Sequence, residues 1–238
     1  MAAGMVMRFD IVSVLPEIFG GFLRYGVCGR ALQNGAARAE FWNPRDYAED
    51  KHRTTDDRPF GGGSGMVLTA PPLAAAIDAA KKQNGGEVIY LAPRGEMLDD
   101  SLARRFAARE GAILLCGRYR GVDERVVESR VSRCISVGDY VLSGGEVAAM
   151  ALMEAVLRHC PGVLGNADSA AEESFCGGDG LLDAPCYTRP AVWENRAAPA
   201  ELLSGDHSAA RRWRRNAAEN LTRECRPDLS ARAKKTSA

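Results

Sequence analysis

Apolar runs of strand length alternate with segments of helical spacing along the first two thirds of the chain. The β-rich runs predict five strands: Arg8–Val14, Ala39–Trp42, Glu87–Leu91, Ala112–Cys116 and Cys134–Val137. Helical spacing predicts a helix beginning near Pro16 and further helices at Leu73–Lys82, Asp99–Arg109, Asp123–Arg130 and Gly145–Cys160. Strands that alternate with helices are typical of an α/β fold, so we expect a parallel sheet with helices on both sides.

Three glycine-bearing turns each follow a predicted strand. They are Leu91–Gly95 (LAPRG), Cys116–Gly121 (CGRYRG) and Gly138–Glu146 (GDYVLSGGE). In parallel sheets, ligands bind where the carboxyl ends of the strands meet, and glycines there let the backbone approach an adenine and a ribose closely. The three turns together predict a nucleoside-binding pocket, with glycines that serve only tight turns as the alternative. None matches GxGxxG or GxxxxGK[ST], which disfavours a dinucleotide or triphosphate site.

The segment from Asn43 to Gly65 is polar and glycine-rich, and loops of this length seldom occur in a domain unless they bind something. Within DKHRTTDDRPFGGGSGM (Asp50–Met66), many hydrogen-bond donors and acceptors follow one another. These are His52, Arg53, Asp56, Asp57 and Arg58. A carboxylate can accept the N1–H and N2–H₂ groups of a guanine, so the loop predicts RNA recognition, with a passive surface loop as the alternative.

The last third of the chain changes character. Asn166–Gly180 is rich in small and acidic residues and predicts a flexible linker, whereas Ala197–Ala238 is helix-like and basic. Residues 205–238 include nine Lys and Arg but only four Asp and Glu, so this segment is basic. Trp213 stands in a cluster formed by Arg211, Arg212, Arg214 and Arg215. This cluster favours an RNA-binding surface, because Arg binds phosphate bidentately and an aromatic ring can stack on bases; a solvated helix face is the alternative.

Composition narrows the class of protein without naming a partner. Thirty-one Lys and Arg balance thirty-one Asp and Glu among 238 residues, of which 46% are hydrophobic, so the chain is globular and carries no global charge. The longest apolar stretch, near Val147–Met153, is too short to span a bilayer, which needs roughly 20 apolar residues. Seven scattered cysteines without a CxxC pair indicate reduced thiols and a cytoplasmic protein, and three histidines do not predict a His-based metal site.

Five motifs then carry a resemblance to a known family. RPFGGGSGM, LCGRYRGVDERV, SVGDYVLSGGE, PGVLG and DGLLDAPCYTRP, together with the register from Arg8 to Leu229, resemble the bacterial tRNA (guanine-N1)-methyltransferase family (TrmD). The resemblance implies a homodimeric SPOUT methyltransferase with a trefoil-type knot. It also implies methyl transfer from S-adenosyl-L-methionine to N1 of guanine 37, the base 3′ to the anticodon, in a tRNA that has guanine at position 36 as well.

The resemblance also implies a division of the chain and a set of site residues. We expect a knotted S-adenosylmethionine-binding domain at 1–165, a linker at 166–178 and a small all-helical tRNA-binding domain at 179–238. Glu173 is expected as the general base and Arg158 as its partner arginine. The residues implied for the donor pocket are Tyr90, Leu91, Ala92, Pro93, Gly117, Ser136, Val137, Gly138, Asp139, Tyr140, Val141, Leu142, Gly144 and Gly145.

Several positions depart from the family pattern. Glu173 stands where an Asp is usual, which leaves Glu172 as a substitute base, and Arg120 stands where a Glu is common, beside the donor or a candidate Mg²⁺. Ser64 and Ala148 replace prolines. Two alternatives therefore stay open beside the main interpretation. One is a SPOUT methyltransferase that acts on another RNA base, and the other is an RNA-binding relative without catalytic activity.

Overall fold

Five parallel strands form the central sheet. They are β1 (Met7–Val12), β2 (Ala37–Trp42), β5 (Glu87–Met97), β6 (Gly111–Cys116) and β7 (Arg133–Ser136). Their order is β2–β1–β6–β5–β7, and each neighbouring pair is parallel. The computed structural model describes residues 6–164, 173–176 and 180–236 of the chain. The expected α/β fold with a parallel sheet is confirmed.

Helices cover both faces of this sheet. On one face lie α1 (Gly26–Gln33), α3 (Asp100–Ala107) and α5 (Glu146–Leu157), and on the other lie α2 (Ala70–Lys81) and α4 (Glu124–Arg130). Side chains of a strand alternate between the faces, so Ile89 and Leu114 join the first core whereas Val88 and Ile113 join the second. Strand β6 is buried at every position, as its uninterrupted apolar run predicts for a central strand.

Aspartates set the start of two helices. The side chain of Asp99 accepts a hydrogen bond from Leu102 N at 2.8 Å, and Asp123 accepts one from Arg125 N at 3.0 Å. A carboxylate at the N-cap satisfies a backbone N–H that the first turn leaves without a partner. Both helices predicted to begin at these aspartates therefore begin one residue later.

Two local predictions are wrong in detail. The segment at Pro16 forms a four-residue 3-10 turn, Pro16–Phe19, and the first α-helix begins only at Gly26. The long polar segment contains a second 3-10 turn, Pro44–Tyr47, and the strand β3 (Asp56–Asp57), which pairs with β4 (Val67–Leu68). Short-range hydrogen bonds thus organise a region whose composition predicts only a loop.

Strand β5 extends to Met97, well past its predicted end at Leu91. Leu91 and Glu96 both pair with Ile135, so the residues between them bulge away from β7 and return to it. A Cβ at Gly95 would collide with the backbone of Ile135, so glycine permits this return. The bulge carries Ala92 and Pro93 to the edge of the sheet where the site lies.

The chain divides into two compact units, Met1–Gly165 and Asn166–Ala238. The second contains the hairpin β8 (Val192–Trp193) and β9 (Arg196–Ala197), followed by α6 (Ala200–Leu203), α7 (His207–Cys225) and α8 (Pro227–Thr236). The expectation that this region is all-helical is wrong, because Glu194 and Asn195 adopt positive φ and close a hairpin turn. Of the predicted linker at 166–178, only residues 173–176 lie within the described residues.

No helix in the described part of the chain is both long enough and apolar enough to cross a membrane.

Candidate active site

The three glycine turns converge on one pocket at the carboxyl edge of β5, β6 and β7. Every residue predicted to bind the donor lines this pocket except Tyr90 and Asp139. Leu91, Ile135 and Val137 give the pocket apolar walls, and the backbone of the turns gives it hydrogen-bonding groups. This combination fits a nucleoside, whose base is flat and apolar on its faces and whose ribose and base edges are polar.

Tyr90 lies behind the pocket wall. It is 8% exposed, and a Cβ at Gly117 would approach its ring and hydroxyl to 3.0 Å. Burial raises the pKa of Tyr90, so the phenol is neutral at physiological pH. The side chain therefore supports the CGRYRG turn from behind and does not line the pocket.

The second and third turns are joined by backbone contacts. Gly145 N donates to Gly117 O at 2.8 Å, and Arg118 forms an isolated antiparallel bridge with Gly144. Helix α5 begins directly after this contact, at Glu146. The pocket floor is thus joined to the start of helix α5, whose side chains pack in the core.

A buried ionic cluster lies beneath this floor, and sequence reasoning missed it. Glu146 is 1% exposed; its carboxylate accepts a hydrogen bond from Ser13 Oγ at 2.8 Å and pairs with Arg118 Nη1 at 3.3 Å. The Ser13 hydroxyl also accepts from Leu15 N at 3.1 Å. An acid in the first turn of a helix after SGG is a weak signal for such a site. The sequence gives no sign of the role of Ser13, because Ser13 and Glu146 lie 133 residues apart and only folding brings them together.

The polar loop presents its predicted RNA-binding side chains to solvent. His52, Arg53, Asp57 and Arg58 are exposed, and none of them lines the pocket. Asp50 organises the loop by accepting from the Thr54 hydroxyl and backbone N–H, each at 2.8 Å, and from His52 N at 3.0 Å. The hydrogen bond from the Thr54 hydroxyl is the main cause that lowers the pKa of Asp50. Asp56 is half-buried in β3.

The two predicted catalytic residues belong to different units. Arg158 is half-buried at the C-cap of α5, and next to it His159 Nε2 lies 2.7 Å from Asp100 Oδ1, which ties this end of α5 to α3. Glu173 is exposed in the second unit. Glu172, the alternative base, lies outside the described residues.

The predicted arginine cluster lies on α7. Arg211, Arg212, Arg214 and Arg215 are all exposed, and Arg215 pairs with Glu219 at 2.6 Å. Trp213 is half-buried and contacts Tyr187 edge to face, with 5.9 Å between ring centroids. The tryptophan thus holds α7 within its unit, and the arginines form the exposed surface.

The residues around the pocket do not fit a magnesium ion. Mg²⁺ in proteins is held by carboxylates and water, and the pocket lining contains Arg118 and Arg120 but no Asp or Glu. Within the described ranges, no group of three or more His, Cys, Asp or Glu side chains is placed to hold a metal.

The fold and pocket define an α/β protein with a nucleoside-type site at the carboxyl edge of a parallel sheet. Comparison with known proteins gives its family: the model of tRNA (Guanine-1)-methyltransferase TrmD matches residues 7–232. The chain therefore belongs to the TrmD family and is a tRNA (guanine-N1)-methyltransferase, which confirms the resemblance seen in the motifs.

Curated relatives are similar over nearly the whole chain. The tRNA (guanine-N(1)-)-methyltransferase of Methylococcus capsulatus is 52% identical, covering 94% of this chain and 90% of the relative. That of Halorhodospira halophila is 51% identical, covering 94% and 85%. That of Bordetella parapertussis is 49% identical, covering 96% and 91%.

Proposed function

We propose that the protein transfers a methyl group from S-adenosyl-L-methionine to N1 of guanine 37 in tRNAs that also carry guanine 36. The observation that carries this proposal is the pocket itself, because the three turns that resemble the family motifs meet in it. The relatives' names specify the modified base and atom, and the family resemblance supplies the position in the anticodon loop.

The pocket supports binding of the methyl donor. Adenine would lie between the apolar walls and meet backbone groups of the turns, and ribose would contact the glycine-rich floor. The bound donor supplies an activated methyl group on a sulfonium. Most of the remaining catalysis is then the alignment of two bound reactants.

Proton removal is the chemical problem that the protein must solve. Guanine N1 carries a proton at neutral pH and is a poor nucleophile until that proton leaves. The Glu173 carboxylate would take the N1 proton, and the Arg158 guanidinium would stabilise the negative charge that develops on O6. Glu173 is exposed in the structure, so a guanine that enters from solvent can reach its carboxylate.

Two surfaces support binding of the tRNA. The loop around His52, Arg53, Asp56, Asp57 and Arg58 offers both donors and carboxylates, which suits recognition of guanine edges. The exposed arginines of α7 suit the phosphate backbone.

The architecture that we propose for the active protein is a homodimer with a trefoil-type knot, in the cytoplasm. Helix α5 is apolar on most of its surface, and Val147 on it is 53% exposed, which suits contact with a second copy. All seven cysteines are free thiols, in keeping with a reducing compartment.

The test is methyl transfer to an anticodon stem-loop transcript with guanine at positions 36 and 37, using a labelled donor and mass mapping of the product. We expect 1-methylguanine at position 37 and none when guanine 37 is changed to adenine. A sharp fall is expected when guanine 36 is changed. Label on another base would support a SPOUT enzyme of different specificity, and binding without transfer would support a non-catalytic relative.

A further inference from the structure

Two arginines of the CGRYRG turn line the donor pocket, and they differ in their charge environment. Arg118 is paired with the buried Glu146 carboxylate, so its charge is compensated. Arg120 is exposed at the pocket rim and forms no ion pair with any described residue. Arg120 is therefore the uncompensated positive charge of the pocket lining.

The backbone of the glycine loop holds the Arg120 side chain in place. Arg120 Nη1 donates to Ser64 O at 3.1 Å, and Arg120 N donates to Met66 O at 3.0 Å. A Cβ at Gly63 would lie 2.7 Å from Arg120 Nη1, so the side chain lies flat against a loop without side chains at that point. The hydrogen bond to Ser64 O uses one of the five N–H donors of the Arg120 guanidinium. The other donors remain available for a ligand, and the bond fixes their orientation in advance.

The methyl donor carries one anionic group, the carboxylate of its amino-acid portion. We propose that Arg120 binds this carboxylate, and that it thereby supplies the positive charge that a divalent cation would otherwise supply at the rim. A guanidinium matches a carboxylate in a bidentate, charge-assisted pair. The same charge repels Mg²⁺, in agreement with a lining that has no carboxylate ligands. This inference rests on the proposed use of S-adenosylmethionine.

The test uses two nucleosides that differ in the amino-acid portion. Isothermal titration measures binding of S-adenosylhomocysteine, which has the carboxylate, and of 5′-methylthioadenosine, which has neither carboxylate nor ammonium. We expect Arg120→Gln to weaken S-adenosylhomocysteine roughly ten- to a hundredfold, the usual effect of losing a charge-assisted hydrogen bond. Binding of 5′-methylthioadenosine should be unchanged.

The matched control is Arg125→Gln. Arg125 is an exposed arginine at the start of α4 that pairs with Asp123 at 2.6 Å and lies outside the pocket lining. The substitution removes the same charge and should change the affinity for neither nucleoside. The wild-type affinity for S-adenosylhomocysteine should also be the same in EDTA and in millimolar Mg²⁺.

The outcomes separate this proposal from the proposed function. Equal losses for both nucleosides, no loss for either, or tighter S-adenosylhomocysteine binding with Mg²⁺ in the wild type would each overturn the role of Arg120. Failure of the wild type to bind either nucleoside would instead overturn the donor pocket itself.

Discussion

The polar side chains buried in the first unit are almost all paired. Asp10 is fully buried and accepts from Arg8 Nε at 2.7 Å, Trp42 Nε1 at 2.6 Å and Asn84 Nδ2 at 2.8 Å. The Glu146 carboxylate is similarly enclosed by Ser13 and Arg118. Buried charges persist in proteins when they are paired in this way, because an uncompensated one costs several kcal/mol. The Asp10 cluster ties β1 to β2 and to the segment before β5, and the Glu146 cluster fixes the start of α5 beside the pocket.

The Thr55 hydroxyl is the exception among the buried side-chain atoms of the described residues. Thr55 is 1% exposed, and its Oγ1 has no hydrogen-bond partner. Thr55→Val keeps the shape and removes the unsatisfied hydroxyl, so we expect the free energy of unfolding to rise by about 1 kcal/mol. Thermal denaturation should show a midpoint about 2–4 °C higher.

The neighbouring Thr54 is the control. Its hydroxyl donates to Asp50 at 2.8 Å on the surface, so Thr54→Val removes a hydrogen bond and should give no stabilisation. A Thr55→Val protein that melts at or below the wild-type midpoint would show that the hydroxyl has a partner in solution.

Glu173 is the residue on which the proposed chemistry depends. Glu173→Gln keeps size and hydrogen-bonding capacity but cannot accept the N1 proton, so turnover should fall roughly 10²–10⁴-fold. Single-turnover kinetics would measure the fall, and the affinities for donor and tRNA should barely change. Glu172→Gln should be nearly silent, and Glu173→Asp should remain active. If Glu172→Gln were inactive in methyl transfer and Glu173→Gln remained active, Glu172 would be the general base.

At the scale of elements, the five strands of the sheet and the loops of the site could be predicted from the sequence, but the bulge in β5 and the β8–β9 hairpin could not. Apolar runs such as Ala112–Cys116 locate central strands, and parallel strands bring their following turns together, so the pocket could be predicted. The continuation of β5 to Met97 could not, because it depends on the backbone of Ile135, which only the fold brings near Gly95. The β8–β9 hairpin also escaped prediction, because its turn residues, Glu194 and Asn195, include no glycine.

Helix α7 is the element that we expect to bind tRNA phosphates. Replacing Arg211, Arg212, Arg214 and Arg215 together by Gln should weaken tRNA binding steeply, because fewer counterions are then released. The slope of log affinity against log salt should fall by up to about one for each phosphate that the variant no longer neutralises. Filter binding over a salt series would measure both effects, and affinity for S-adenosylhomocysteine should not change.

A control variant removes the same charge elsewhere. Lys81, Lys82, Arg105 and Arg125 are exposed in the first unit and outside the pocket lining. Their replacement by Gln should leave the salt slope close to that of the wild type. If the α7 variant bound tRNA like this control, the arginine cluster would be a solvated helix face.

At the scale of the whole molecule, we propose that two chains form the active site. The donor pocket and Arg158 belong to the first unit, whereas Glu173 belongs to the second, and the family resemblance assigns the base to the partner's chain. Sedimentation at micromolar concentration should therefore give twice the chain mass of 25.6 kDa. Full activity from a species of the single-chain mass would contradict the dimer.

Mixing two inactive variants tests whether the partner supplies the base. Arg158→Ala and Glu173→Gln should each be nearly inactive as homodimers. After subunit exchange, half of the dimers are mixed, and each mixed dimer has one site with both residues intact, so activity should recover to about a quarter of the wild-type value. If Arg158 and Glu173 of the same chain act together, every site in the mixture lacks one of them. The mixture would then stay inactive although the subunits had exchanged.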